Sequence, residues 1–74
     1  MRANHRTMLM ADGPSTDWPW AVVMGDGFTA GDFLEITLWC GRELGDRSMA
    51  WDLHGNGWVF KHRDSATRTC LTWG

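Results

Sequence analysis

The dipeptide Asn56-Gly57 sits between two runs in which apolar and polar residues alternate, Met49-Ala-Trp-Asp-Leu-His54 on one side and Trp58-Val-Phe-Lys-His-Arg63 on the other. Asn-Gly takes the positive φ values of a type I′ turn more readily than almost any other pair, so the spacing predicts a two-stranded hairpin. With Asn56-Gly57 as the loop, Gly55 lies opposite Trp58, His54 opposite Val59, Leu53 opposite Phe60, Asp52 opposite Lys61 and Trp51 opposite His62. One face then carries Met49, Trp51, Leu53, Trp58 and Phe60. The other carries Ala50, Asp52, His54, Val59, Lys61 and Arg63. A loop at Gly55-Asn56 preserves both faces, whereas a three-residue loop mixes them. A cross-strand charge pair between Asp52 and Lys61 favours the first register.

The rest of the chain has to cover that row of rings. Seventy-four residues make one domain, of a size that buries only about 60% of its unfolded surface. Six Trp offset part of that deficit, since each buries roughly 150–250 Å². A net charge of −2, from nine acidic and seven basic residues scattered singly, argues against a general DNA binder and against an acidic mimic of nucleic acid. Cys40 and Cys70 fit no secreted disulfide framework and read as two buried thiols. The apolar run Met8 to Ala11 is too short for a signal segment or a membrane span, which makes a soluble cytoplasmic protein the expectation.

Residues 1–17 lack sustained periodicity and end in a cluster of turn formers, Asp12-Gly-Pro-Ser-Thr-Asp17, so they read as a flexible arm ahead of a single domain at 18–74. Within the arm, Met8, Leu9 and Met10 are apolar enough for a short edge strand or a cover over a hydrophobic patch. Trp18 to Met24 is the first clear strand candidate, apolar on both faces, with Pro19 at its start as Pro requires. Thr29 with Asp32 three residues on approximates a capping box, and Phe28 with Phe33 has the spacing of a hydrophobic staple. A helix is therefore expected from Ala30 to Leu44, stopping at Gly45. Its core stripe is Phe33, Thr37, Cys40 and Leu44, flanked by Ile36, Leu34 and Gly41. Leu38 and Trp39 fall outside that stripe, beside Glu35 and Arg42. Either the Trp18 segment covers them, or they form an exposed apolar patch of the kind that marks a contact site. Beyond the hairpin, Asp64 is placed to cap a short helix through Thr69, with Leu71-Thr-Trp73 as a brief final strand. A plain strand from Ala66 to Trp73 is the competing reading.

Chemistry finds little purchase in this pattern. A metal would have to be held by His5, His54, His62, Cys40 and Cys70, whose spacings match no zinc motif. Ser15, Ser48 and Ser65 stand in turns without a glycine elbow, and no pair of carboxylates converges. Neither an enzyme nor a cofactor-dependent protein is expected. The outward sheet face offers basic residues, so single-stranded nucleic acid bound by Lys61, Arg63 and Arg68 is one candidate activity. The stronger candidate is protein contact through Leu38, Trp39, Glu35 and Arg42, because an apolar surplus with Trp suits an interface hot spot. A homodimer through edge strands or the Trp39 patch is a third.

Trp39-Cys40 near the helix end, Gly45 at its stop, Trp51 in the next strand, and then Phe60, Ala66, Leu71 and Trp73-Gly74 carry a further signal. In this series the segment from Leu34 to Gly74 resembles a diffuse set of small phage and prophage proteins. The resemblance implies a ferredoxin-like α+β fold, βαββαβ or βαβββ, with an antiparallel sheet and the helix or helices packed on one face. It also implies an anti-defence role, such as inhibition of a host CRISPR effector by occlusion. Thr69 departs from the pattern, standing where a bulky apolar residue is expected.

Overall fold

The computed structural model describes residues 7–73. Six elements follow one another in the order ββαββα: β1 (Met8–Asp12), β2 (Trp20–Met24), α1 (Ala30–Glu43), β3 (Trp51–His54), β4 (Gly57–Phe60) and α2 (Arg63–Trp73). The four strands form one antiparallel sheet in the order β1-β2-β4-β3. Because β4 is antiparallel to both β2 and β3, those two strands run the same way with β4 between them. The chain is a small α+β domain.

The hairpin forms, but two residues away from the favoured register. Trp51 pairs with Phe60, Asp52 with Val59, Leu53 with Trp58 and His54 with Gly57, which makes Gly55-Asn56 the loop. Gly55 has φ +59 while Asn56 stays at negative φ, as in a type II′ turn with Gly at its first central position. A shift of two leaves the side chains of β3 and β4 on their expected faces. It does separate Asp52 from Lys61: Asp52 turns to Arg47, and Lys61 stands 4.4 Å over the Trp18 ring. Met49 leaves the inner face altogether, since the strand starts at Trp51 and Met49 sits in a turn closed by its N–H on the Asp46 carbonyl.

Helix α1 starts and stops where its caps dictate. Thr29 Oγ1 accepts from the Asp32 N–H at 3.2 Å, and Asp32 Oδ2 accepts from the Thr29 N–H at 2.9 Å. At the far end Leu44 caps the helix and Gly45 follows with φ +108, a conformation that favours glycine. The buried stripe is Ile36, Trp39 and Cys40, with Phe33 and Leu44 at its margins. It lies further round the helix than the sequence suggested, so Leu34 points to solvent.

On the N-terminal side the structure takes the edge-strand alternative, and on the C-terminal side it departs from both readings of the sequence. Part of the N-terminal arm, Met8–Asp12, is an edge strand in continuous register with β2, from Met8 opposite Met24 to Asp12 opposite Trp20. The segment expected to end as a strand is helical to Trp73. Ala66, Thr69, Cys70 and Trp73 follow the i, i+3, i+4, i+7 spacing of one helix face, and Ala66 and Thr69 are fully buried. Thr69 is tolerated there because its hydroxyl donates to the Ser65 carbonyl at 2.8 Å, and Thr72 does the same to Arg68. Asp64 lies in the first turn of α2 rather than at its cap. The carbonyl of His62 takes the first helical bonds.

Both helices cover one side of the sheet. Val22, Trp51, Trp58 and Phe60 from the strands meet Ile36, Trp39 and Cys40 from α1 and Ala66 from α2 in one core. Ala21, Val23 and Val59 alternate onto the opposite face.

Candidate interaction surface

The outward side of α1 is built by the same spacing that fills its inner side. With Ile36, Trp39 and Cys40 turned to the sheet, residues 34 and 38 are one turn apart on the opposite face. Leu34 is 60% exposed and Leu38 63%. Glu35 is exposed beside them, and Arg42 is solvated, its Nε 3.6 Å from the Glu43 carboxylate. Of the residues proposed from the sequence, this surface keeps Leu38, Glu35 and Arg42. Trp39 leaves it. Its ring is only 9% exposed and meets Trp73 edge to face with centroids 6.2 Å apart. The cover comes from α2, because a helical C-terminal segment carries Trp73 over α1, and not from the Trp18 segment. Arg68 closes the same contact from above, 5.7 Å over the Trp39 ring and bonded to Glu43 at 2.8 Å. Leu34, which sequence reasoning assigned to the core margin, takes the place of Trp39 on the exposed side.

The basic residues do not gather. Lys61 lies over Trp18 and donates to the Asp17 carbonyl at 3.4 Å. Arg63 stands 5.8 Å over the Trp20 ring at the start of α2. Arg68 faces α1, engaged as above. Each of the three is held against an aromatic face, and Arg68 is in addition neutralised by Glu43. Arg63 lines a cleft of about 390 Å³ with Met10, Ala11, Asp12 and Trp20.

Among the described residues no group of three His, Cys, Asp or Glu side chains is close enough to hold a metal ion. His5, counted among the possible ligands, lies outside the described residues. Both cysteines are free. Burial pushes the Cys40 thiol up to about 12, against a small opposing effect of the Thr69 hydroxyl, and burial raises Cys70 as well. Thiols so shifted are protonated at neutral pH and poor nucleophiles. No helix among the described residues is long and apolar enough to cross a membrane.

One polar cluster is tightly built. Asp52 accepts from Arg47 Nε at 2.6 Å and from the Leu53 N–H at 2.8 Å, with Ser48 Oγ at 3.4 Å. These bonds, the Arg47 one foremost, hold its carboxyl below the usual range. A depressed folded-state value means that the carboxylate stabilises the fold above the unfolded value of about 3.9, and that this contribution is lost as pH falls through the lower folded value. Asp52→Asn is therefore expected to cost about 0.5–1 kcal/mol at neutral pH, since the cluster is partly solvated. The gap should close in acid, and urea midpoints of the two proteins measured across the acid range check this. A gap that is constant with pH would exclude the charge as its source.

No family model matches the chain, and no curated protein or solved structure matches it.

Proposed function

We propose that this chain is a binding domain with no chemistry of its own, acting by contact with another protein through the outer face of α1. The observation that carries the reading is the pair Leu34 and Leu38. Two large apolar side chains, each about three-fifths exposed, stand one turn apart on a helix whose other face is already filled. Glu35 and Arg42 border them as a polar rim. The finer form of the proposal is an inhibitor of a host defence complex, such as a CRISPR effector, working in the host cytoplasm by occluding a site. Its support is the likeness of Leu34 to Gly74 to small phage proteins. A ferredoxin-like relationship draws support from β2-α1-β3, a parallel pair split by β4. The closing strand of βαββαβ is replaced here by α2.

Capture from host lysate tests the surface. The double variant Leu34→Glu, Leu38→Glu alters only exposed positions, so its circular dichroism should match the wild type. Its capture of a host protein complex should fall at least about tenfold, the loss of roughly 1.4 kcal/mol. Undiminished capture would remove α1 from consideration. Binding that instead tracks short RNA or DNA, with a steep salt dependence and loss on Lys61→Ala and Arg63→Ala, would favour the nucleic-acid reading.

A further inference from the structure

The two edges of the sheet are treated differently. On β3, the Ser48 N–H donates to the Trp51 carbonyl at 2.6 Å, and the Leu53 N–H is taken by the Asp52 carboxylate. Arg47 bridges to Trp51 and holds that carboxylate. Closing the loop back on the strand puts Ser48 at φ +73, a conformation disfavoured for any residue with a Cβ. An edge blocked in this way by its own loop and by charge is protected against strand addition.

Among the described residues the β1 edge has no such device. The Gly25 N–H donates to the Thr7 carbonyl and the Gly13 N–H to the Pro19 carbonyl, so the odd-numbered residues of β1 bond to β2. By alternation, Met8, Met10 and Asp12 turn their N–H and C=O groups to the open side. No strand among the described residues lies there. The strand contains no Pro, Lys or Arg, and its register with β2 is unbroken. Apolar side chains collect beside it. Leu9 is 54% exposed and Met10 38%. Leu71, 80% exposed, stands one helical turn beyond Thr67, whose hydroxyl reaches Met10 Sδ at 4.0 Å.

The geometry points to a second copy of this chain as the occupant of that edge, paired antiparallel with Met10 on the two-fold axis. Read against itself about Met10, the strand sets Met8 opposite Asp12, Leu9 opposite Ala11 and Met10 opposite its counterpart. Every outward N–H and C=O of Met8, Met10 and Asp12 then has a partner, and the one charge never faces itself. Centring on Asp12 instead opposes two carboxylates, and centring on Ala11 brings Pro14, which has no N–H, into the ladder. The contact is isologous, as a closed dimer requires. It joins two four-stranded sheets into one of eight, with Leu71 of each α2 flanking the axis.

Sedimentation equilibrium of the full chain should show the mass rising from one chain to two with concentration. Met10→Pro deletes an outward N–H without touching the bonds to β2, a place where a sheet accepts Pro. Leu71→Glu puts a charge beside the axis at a position the fold does not use. Each should weaken the dimer tenfold or more, by roughly one lost hydrogen bond per chain or by an unpaired charge, with unchanged near-ultraviolet dichroism. Leu71→Glu keeps the test valid should Met10→Pro disturb β1. A single-chain mass at every concentration overturns the proposal. So does a dimer indifferent to both changes, and loss of that dimer in the Leu34→Glu, Leu38→Glu variant would place its axis on α1.

Discussion

Gly57→Ala is expected to abolish the fold, or to cost at least about 3 kcal/mol where enough structure survives to measure it. A Cβ at this position would sit 2.1 Å from the Val22 carbonyl oxygen and 2.9 Å from the Val23 Cα. Both are backbone atoms of the neighbouring strand, so no side-chain rotation relieves the overlap. Gly57 faces Val23 across the β2–β4 pair, and β2 and β4 are the two central strands. Separating them opens the sheet through its middle. Gly55→Ala provides the control. Its φ is +59, but a Cβ there meets nothing within 4 Å, so only the left-handed backbone cost of about 1–2 kcal/mol applies. Urea unfolding followed by Trp fluorescence measures both. Equal losses in the two variants would show that close strand approach at Gly57 is not what requires glycine.

Trp58→Ala is the second large effect. Trp58 is 1% exposed on a central strand, stacks on Phe33 with centroids 5.0 Å apart, and donates from Nε1 to Thr37 Oγ1 at 3.1 Å. Truncating a buried Trp to Ala costs about 3–5 kcal/mol. A 74-residue domain has only about 4–11 kcal/mol at the usual 0.05–0.15 kcal/mol per residue, so much of the chain should be unfolded. Trp58→Phe keeps most of the buried area and forfeits the bond to Thr37, whose own hydroxyl still donates to the Phe33 carbonyl at 2.7 Å. It should lose about 1–2 kcal/mol, mainly that bond and a small void. Unfolding midpoints that fail to separate the two variants would mean that the core has room to collapse around a missing ring.

The parts of the architecture visible before any coordinates share one property: their signals are local. Thr29 and Asp32 cap each other within a single turn, and Gly45 ends the helix through its own φ. Alternation across residues 51–60 defines inside and outside whichever two-residue loop is chosen. The faces of the hairpin were therefore legible while its register was not, because registers two residues apart bury the same side chains. The tie was broken by Arg47, which took Asp52 from Lys61, and by β2, which needs Gly57 at a position where no side chain fits. The α2 face was legible too, in the spacing of Ala66, Thr69, Cys70 and Trp73. It was masked by the period-two look of Leu71-Thr-Trp73 and by three threonines, two of which the helix accommodates by bonding them to its own carbonyls. On the proposed surface, Leu38, Glu35 and Arg42 could be placed by angle alone, whereas exchanging Trp39 for Leu34 could not. That exchange depends on where α2 lies.

Local chemistry, then, was enough to set the caps of α1 and the rings on one side of the hairpin. Which strands became neighbours, which residues faced one another, and which side of α1 stayed bare were settled by long-range packing. Caps and alternation draw their free energy from residues a few positions apart. Burial of Trp39 under Trp73, the pairing of Met8 with Met24 and the approach of Val22 to Gly57 each join segments distant in the chain, and their energies exist only once the whole sheet has closed.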